Sequence, residues 1–363
     1  MATPASRLSP VQRRTTTRDI AAEAGVHPAT VSRALRNHPS IPEETRKRVQ
    51  SIAEKLGYKP DPMLASLMAY RQATQPTHYN ATLAWVTNHP DREGWKNQLV
   101  ARDYFQGAER RATALGYKIE TFWLREPGMT AARASTILAT RAIQGLLLAP
   151  QPDYQGRADL DWDRFSSVAL GFSLITPALH IIANHQFSSM LLAVDHLRAL
   201  GYRRVGLVLA DFNDERTHHN WTGAFLGRQL TWPESERLPC LRLPALEADA
   251  FHAWRETHRP DAILTPNFDV VLGWLAQRGL TVPDDIGLCA VPTYDSGHFY
   301  AGVQENSLLI GEAAVEFLIG MLHRNERGVP PVPHRLLIES TWLPGRTLRN
   351  PVAAPPLAAT SAA

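Results

Sequence analysis

The residues best equipped for chemistry lie close together near the front of the chain, in the stretch Thr16 to Asn37, TTRDIAAEAGVHPATVSRALRN. Thr30, Ser32, Arg33 and Arg36 are short polar or basic donors set off from an apolar side made by Val31, Ala34 and Leu35. Hydroxyl and guanidinium groups on one free helix face can donate to phosphate oxygens and base edges, and Arg suits the O6/N7 pair of guanine. Their helix would begin at Pro28, the position that needs no N–H. Gly25 would end a preceding helix in the left-handed conformation. That helix would start at Thr16-x-x-Asp19, with a hydroxyl for an orphan N–H and a carboxylate near the positive dipole end. Ile20, Ala21 and Ala24 share one face at helical spacing. Two small helices joined by a tight turn predict a helix-turn-helix reader of duplex DNA. A plain αα-hairpin is the alternative from this stretch alone.

Elsewhere the spacings exclude familiar chemistries. Asp211-x-Asn213-Asp214 begins like a calcium loop, but Arg216 fills the glycine slot and Thr222 the glutamate slot. His218 and His219 are adjacent, which in a helix would point them about 100° apart, so a solvated pair or cleft lining is expected rather than a metal pair. Neither a P-loop nor a GxGxxG or GxSxG pattern occurs. Cys240 and Cys289 are the only cysteines, too few and too far apart for a metal set, and are expected as reduced thiols of a cytoplasmic protein. No catalytic residue, metal or cofactor is therefore expected, and the chain does not read as an enzyme.

Apolar residues at 44% and charged residues at 20% suit a globular chain, and 363 residues suffice for two or three domains. There is no run of 18 apolar residues to span a membrane, and the first residues lack the apolar centre of a secretory signal. The net charge of +3 hides an uneven distribution. Residues 1–72 carry 12 Lys and Arg against 6 Asp and Glu, and the rest of the chain 26 against 29. The positive excess therefore sits with the DNA-reading candidate, where phosphate neutralisation needs it.

These residues need a scaffold. A third helix from about Glu43 to Leu56 carries Val49, Ile52, Ala53 and Leu56 as a stripe that can close a three-helix core. From Ala81 short apolar runs alternate with amphipathic segments. Strands are expected at 82–86, 118–122, 145–148, 167–170, 205–209, 262–264 and 287–290, and helices at 105–115, 190–200, 268–278 and 310–323. Alternation of this kind predicts parallel sheets flanked by helices, and some 270 residues of it predict two α/β lobes around a cleft.

The stretch from Thr16 through Leu56-Gly57-Tyr58-x-Pro60 resembles the headpiece of the LacI/GalR family of bacterial transcription regulators, without gaps, through Asp19, Ala24-Gly25-Val26, Thr30-Val31-Ser32-Arg33, Asn37 and Glu44-Thr45-Arg46. Weaker marks continue through Phe105-Gln106-Gly107-Ala108, His196-Leu197-x-x-Leu200-Gly201-Tyr202, Gly223-Ala224-Phe225 and Ile310-Gly311-x-x-Ala314, so that the resemblance spans nearly all of residues 16–347. It implies an all-α helix-turn-helix headpiece plus an α/β, two-lobed, periplasmic-binding-protein-like sensor and dimerisation domain. The expected division is a disordered arm at 1–14, the headpiece at 15–60, a hinge helix at 61–72, a linker at 73–80, the effector-binding body at 81–349 and a disordered tail at 350–363.

The resemblance implies a dimeric regulator, expected as a repressor, whose two headpieces bind half-sites of a pseudo-palindromic operator in double-stranded DNA. An activator with the same headpiece, or a small-molecule-binding module, is the alternative. Thr17, Arg18, Thr30, Ser32 and Asn37 fall at backbone or flanking contact positions and Arg33 at a base-reading one. Leu67 corresponds to a minor-groove wedge at the operator centre. The recognition helix departs from the family at His27, Pro28 and Ala29, where the last two can offer only apolar contact. Fewer direct base contacts and greater reliance on the central kink are expected. A small-molecule effector, a sugar among the candidates, is implied for the cleft. Its family slots hold Asn184 and His185, Asn220, and Asn267 with Phe268 in place of Asp, while Trp95 and Trp221 are candidate stacking surfaces. The acidic and Arg groups that clamp sugars in the family are thus missing from their usual slots.

Overall fold

The computed structural model describes residues 16–35, 41–56, 58, 81–293 and 299–349. The headpiece contains α1 (Thr17–Ala24), α2 (Pro28–Leu35) and α3 (Glu43–Lys55). Asp19 starts α1 by accepting from the N–H and hydroxyl of Thr16, each at 2.7 Å. Gly25 ends it at φ 63°, and Pro28 opens α2. Ile20, Val31, Ala34 and Val49 are wholly buried where the three helices meet, with Ala21, Ala24 and Ala53 around them. Small side chains let the helices approach, so a compact core forms from few residues. Leu56 departs from the expected stripe: it follows the last turn of α3 and is 38% exposed, because the helix has already ended.

The body begins with β1 (Ala81–Thr87), α4 (Leu99–Ala114), β2 (Tyr117–Trp123), α5 (Ala131–Thr140), β3 (Gly145–Leu148), β4 (Gly156–Arg157), β5 (Ser166–Leu170), β6 (Leu174–Thr176) and β7 (His180–Asn184). It continues with α6 (Gln186–Ala199), β8 (Val205–Ala210), α7 (Asp211–Arg216), α8 (Asn220–Gln229), β9 (Leu241–Leu243), α9 (Ala248–His258), β10 (Ala262–Thr265), α10 (Phe268–Gln277), β11 (Gly287–Thr293) and β12 (Ala301–Gln304). Then follow α11 (Ser307–Arg324), β13 (Arg335–Ile338) and β14 (Thr341–Leu343).

Two six-stranded sheets result, in the orders β13-β7-β5-β3-β1-β2 and β14-β12-β11-β10-β8-β9. All pairings within them are parallel except β12 with β14. Helices cover both faces, which is why the central strands read as unbroken apolar runs. In the first lobe α4 and α11 pack on one face and α5 on the other. In the second, α6 and α8 face α9 and α10 across the sheet. The fold class expected from the sequence is the one observed. Among the described residues, no helix is long and apolar enough to cross a membrane.

The chain passes between the lobes three times: from β7 into α6, from β12 into α11, and from β13 into β14. Neither lobe is sequence-contiguous, and the three passages lie side by side, because β7 pairs with β13 and β12 with β14.

Candidate DNA-reading face and effector cleft

On the headpiece, Arg18, His27 and Arg33 are exposed, and Thr17, Pro28 and Thr30 half-buried, while the other sides of α1 and α2 close the core. The apolar half of the helix pair is thus spent on packing, and the basic half is left for a partner. Pro28 supplies the first turn of α2 without a side-chain donor, as its ring dictates. Asn37 and Leu67, with the hinge at 61–72, lie outside the described residues, and so do the side chains of Ala29 and Ser32.

A cleft of about 450 Å³ separates the lobes. Its walls are the segments that follow the carboxyl ends of the parallel strands: Pro150 after β3, Phe172 and Ser173 after β5, Phe212 and Asn213 after β8, and Pro266 after β10. This is where open α/β sheets place their ligands. The start of α4 contributes Leu99 and Val100, preceded by Asn97 and Gln98.

Of the seven residues expected at the effector, only Asn184 and Trp221 line this space. Trp221 is 5% exposed and donates its indole N–H to Gln186 Oε1 at 2.8 Å. Asn184 is committed elsewhere: its Nδ2 donates to Ser340 Oγ at 2.7 Å, and its Oδ1 accepts from Ser189 Oγ at 2.7 Å. Those bonds tie two of the crossing passages together at the wall of the cleft. A third passage is bound in when Asn306 Nδ2 donates to the Glu339 carbonyl at 2.7 Å.

The other five lie outside this lining. Trp95 is 2% exposed and packs against Trp85 and Phe105, with centroids 5.7 and 5.0 Å away, because its short helix folds back onto the first lobe's core. His185 caps α6, accepting the Ser188 N–H at Nδ1. Asn220 donates to the Thr217 carbonyl at 2.6 Å, closing the turn into α8. Phe268 opens α10 and packs on Tyr300, 4.2 Å between centroids. Asn267 precedes α10 with a buried Oδ1 that has no hydrogen-bond partner among the described residues, beside the wall residue Pro266 but outside the lining itself.

Several cleft residues carried no sequence signal beyond standing just after a strand or within the next turn. Phe212 and Leu99 are exposed apolar side chains on opposite walls, at 41% and 48%. Arg216 also lines the space, its guanidinium 5.7 Å from the Phe212 ring centre. Glu305 lies at the base, accepting from the Tyr104 hydroxyl. The lobes touch at the mouth as well, where His218 packs on Phe172 at 5.3 Å and Tyr154 on Phe212 at 6.0 Å. His218 and His219 are not helical but take consecutive left-handed conformations, φ 53° and 57°. The fully buried Asp214 fixes this turn, accepting from His219 Nδ1 at 2.7 Å and from the Thr222 hydroxyl. The calcium-like start is therefore part of helix α7, and no metal-binding group is found among the described residues.

The comparisons with known proteins agree with this architecture. Residues 16–61 match the model for bacterial regulatory proteins of the lacI family, and residues 194–348 match a periplasmic binding protein-like domain. The HTH-type transcriptional repressor PurR of Haemophilus influenzae is 22% identical over 330 residues, covering 86% of this chain and 93% of its own. The lactose operon repressor of Escherichia coli is 24% identical over 314 residues, covering 83% of each. The crystal structure of the Lac repressor dimer bound to operator and an anti-inducer superposes with a TM-score of 0.52 at 18% identity, over 93% of this chain and 100% of that one. With the headpiece in front and two discontinuous lobes behind, the chain joins a helix-turn-helix domain of the lacI family to a periplasmic binding protein-like domain, and over most of its length it is similar to these transcriptional regulators.

Proposed function

We infer that the protein is a dimeric transcriptional repressor whose grip on a pseudo-palindromic operator is set by a small molecule in the interlobe cleft. The observation that carries the reading is the joining of two parts: a three-helix headpiece with Arg18 and Arg33 exposed, and a body whose lobes are linked by three hydrogen-bonded passages. Arg33 reads a base edge, and Thr17, Arg18, Thr30, Ser32 and Asn37 fix the register on the backbone. Leu67 enters the minor groove at the operator centre. Ligand acts by preferring one relative orientation of the lobes, and shifts DNA affinity only by its differential affinity for the two. The test is selection of bound sequences from random duplex DNA by the full chain. An inverted repeat is expected, with affinity falling steeply as salt rises; binding indifferent to sequence at every ionic strength would refute the reading.

A further inference from the structure

Each lobe presents to the cleft a large apolar side chain that the fold leaves uncovered: Leu99 from the first lobe is 48% exposed and Phe212 from the second 41%. Phe172 and Trp221 add ring surface, one from each lobe. These rings are held in place. Phe172 packs on His218 with centroids 5.3 Å apart, Phe212 packs on Tyr154 at 6.0 Å, and Gln186 takes the Trp221 N–H. Much of the polar lining already serves the protein. Asn184 is engaged at both ends, the Thr217 hydroxyl donates to the Asp214 carbonyl at 3.0 Å, and the Ser173 hydroxyl accepts the Gln151 N–H at 2.8 Å. Three amides differ: the side chains of Asn97 and Gln98 from the first lobe and Asn213 from the second have no hydrogen-bond partner among the described residues. Arg216 and Glu305 line the same space with opposite charges, so the described lining has no formal excess of either sign. A polyol entering here would give up water at every hydroxyl and find few unengaged partners, whereas a flat apolar ring gives up little.

We propose, resting on the regulatory reading above, that the effector is an uncharged aromatic compound, its ring held between the apolar walls and its polar edge met by the amides of Asn97, Gln98 and Asn213. Aromatic walls favour a ring ligand through offset-stacked or edge-on contact, beyond the area buried. An amide both donates and accepts, so it pairs with a hydroxyl, a carboxamide or a ring nitrogen and needs no charge on the ligand. The volume of about 450 Å³ lies within the range of small-molecule sites, roughly 300–1,000 Å³. Because Leu99 and Phe212 stand on different lobes, a ring between them removes both from water only while the lobes are together. Occupancy is thereby tied to one arrangement of the body.

The experiment is calorimetric binding to the full-length protein with matched pairs that keep the polar part and change the ring. The pairs are phenyl and methyl β-D-glucoside, adenosine and methyl β-D-ribofuranoside, and 4-hydroxybenzamide and 4-hydroxycyclohexanecarboxamide. At least one aromatic member should bind about 10- to 100-fold more tightly than its partner. Its binding should also show a negative heat-capacity change, the mark of apolar surface leaving water. The pair with the largest difference identifies whether the ring is an aglycone, a nucleobase or a phenol. Phe212→Ala should erase the preference and Phe212→Tyr should keep it. Val332→Ala, which shortens a side chain 70% exposed outside the cleft, should leave it intact. Non-aromatic partners binding as tightly as aromatic ones, a preference that survives Phe212→Ala, or no binding by any aromatic member would each overturn the proposal. Operator binding, followed separately on the same protein, would survive all three outcomes if the regulatory reading holds.

Discussion

Gly107 in α4 and Gly311 in α11 lie at a helix crossing so close that neither position has room for a methyl group. A Cβ on Gly107 would run into the Leu308 carbonyl oxygen, and one on Gly311 into that of Tyr104. Both obstacles are backbone, which cannot swing aside, so the two helices would have to part. Gly311→Ala is expected to destabilise the body by about 1–3 kcal/mol or more. Gly227→Ala on α8, where a Cβ meets nothing within 4 Å, should be neutral or stabilising by roughly 0.5–1 kcal/mol. Denaturant midpoints of the two variants decide the matter; a Gly311→Ala midpoint equal to wild type would show that α4 and α11 separate freely.

On the headpiece, Arg33→Ala should weaken operator binding by about 1–3 kcal/mol and relax the preference at one base pair in each half-site. Loss of a backbone contact such as Arg18→Ala should instead weaken all sequences alike and reduce the salt dependence by about one ion. Pro28→Ser restores a side-chain donor where this chain has none, and should change the ranking of operator variants. Competition binding against a library of single-base substitutions reads all three. Unchanged rankings for both Arg33→Ala and Pro28→Ser would show that bases are read elsewhere.

Much of this molecule is legible without coordinates, for identifiable reasons. The headpiece could be read because its local signals agree: Thr16 and Asp19 start a helix, Gly25 ends it at positive φ, and Pro28 opens the next. Most strands could be read because burial on both faces leaves apolar runs, as at Gly145–Leu148, whereas the three-residue strand Leu241–Leu243 left no such run. The cleft was legible only in part. Reading family slots favoured Asn220, whose duty in closing the turn into α8 is invisible in sequence, and Trp95, whose burial depends on packing against Trp85 of β1 and Phe105 of α4. The rule that ligands meet the carboxyl ends of parallel strands would have pointed to Phe172, Phe212 and Asn213 directly after strands already located. Gly107 and Gly311 stood out as family marks; their reason, backbone against backbone, is a tertiary fact.

Asn184 and Ser340 join two passages between the lobes, and Ser189 completes the cluster with its hydroxyl 2.8 Å from Ser340. Asn184→Ala would leave the buried Ser189 hydroxyl and the half-buried Ser340 hydroxyl without their shared partner, at a cost of about 1–3 kcal/mol. Its expected signature is a lowered stability together with a weaker response of operator affinity to effector, since the hinge would no longer hold two defined arrangements. Titration of DNA binding with and without effector separates these effects. A full response in a destabilised variant would make Asn184 a packing residue and no more.

Burial leaves several imidazoles below their ordinary range. Desolvation is the main cause at His89, His180, His252 and His218, with neighbouring Arg side chains or His334 adding to it. A histidine that is harder to protonate in the folded chain takes up more protons when unfolded, so stability rises with pH across that interval. The contribution is complete above the unfolded value of about 6.5 and is lost as pH falls through the lower folded values. The carboxylates act in a more acidic window. Glu326, hydrogen-bonded to Arg324, lies low and loses its contribution as pH falls below the usual carboxylate range, whereas the half-buried carboxyl of Asp103, raised by desolvation, has the opposite slope above that range. The thermal midpoint should therefore decline between pH 7.5 and 5.5, before the acids titrate. His252→Asn should flatten part of that slope, because His252 is 5% exposed with a buried Nδ1 that has no hydrogen-bond partner among the described residues. A midpoint independent of pH over this interval would mean that these imidazoles are hydrated in the folded chain.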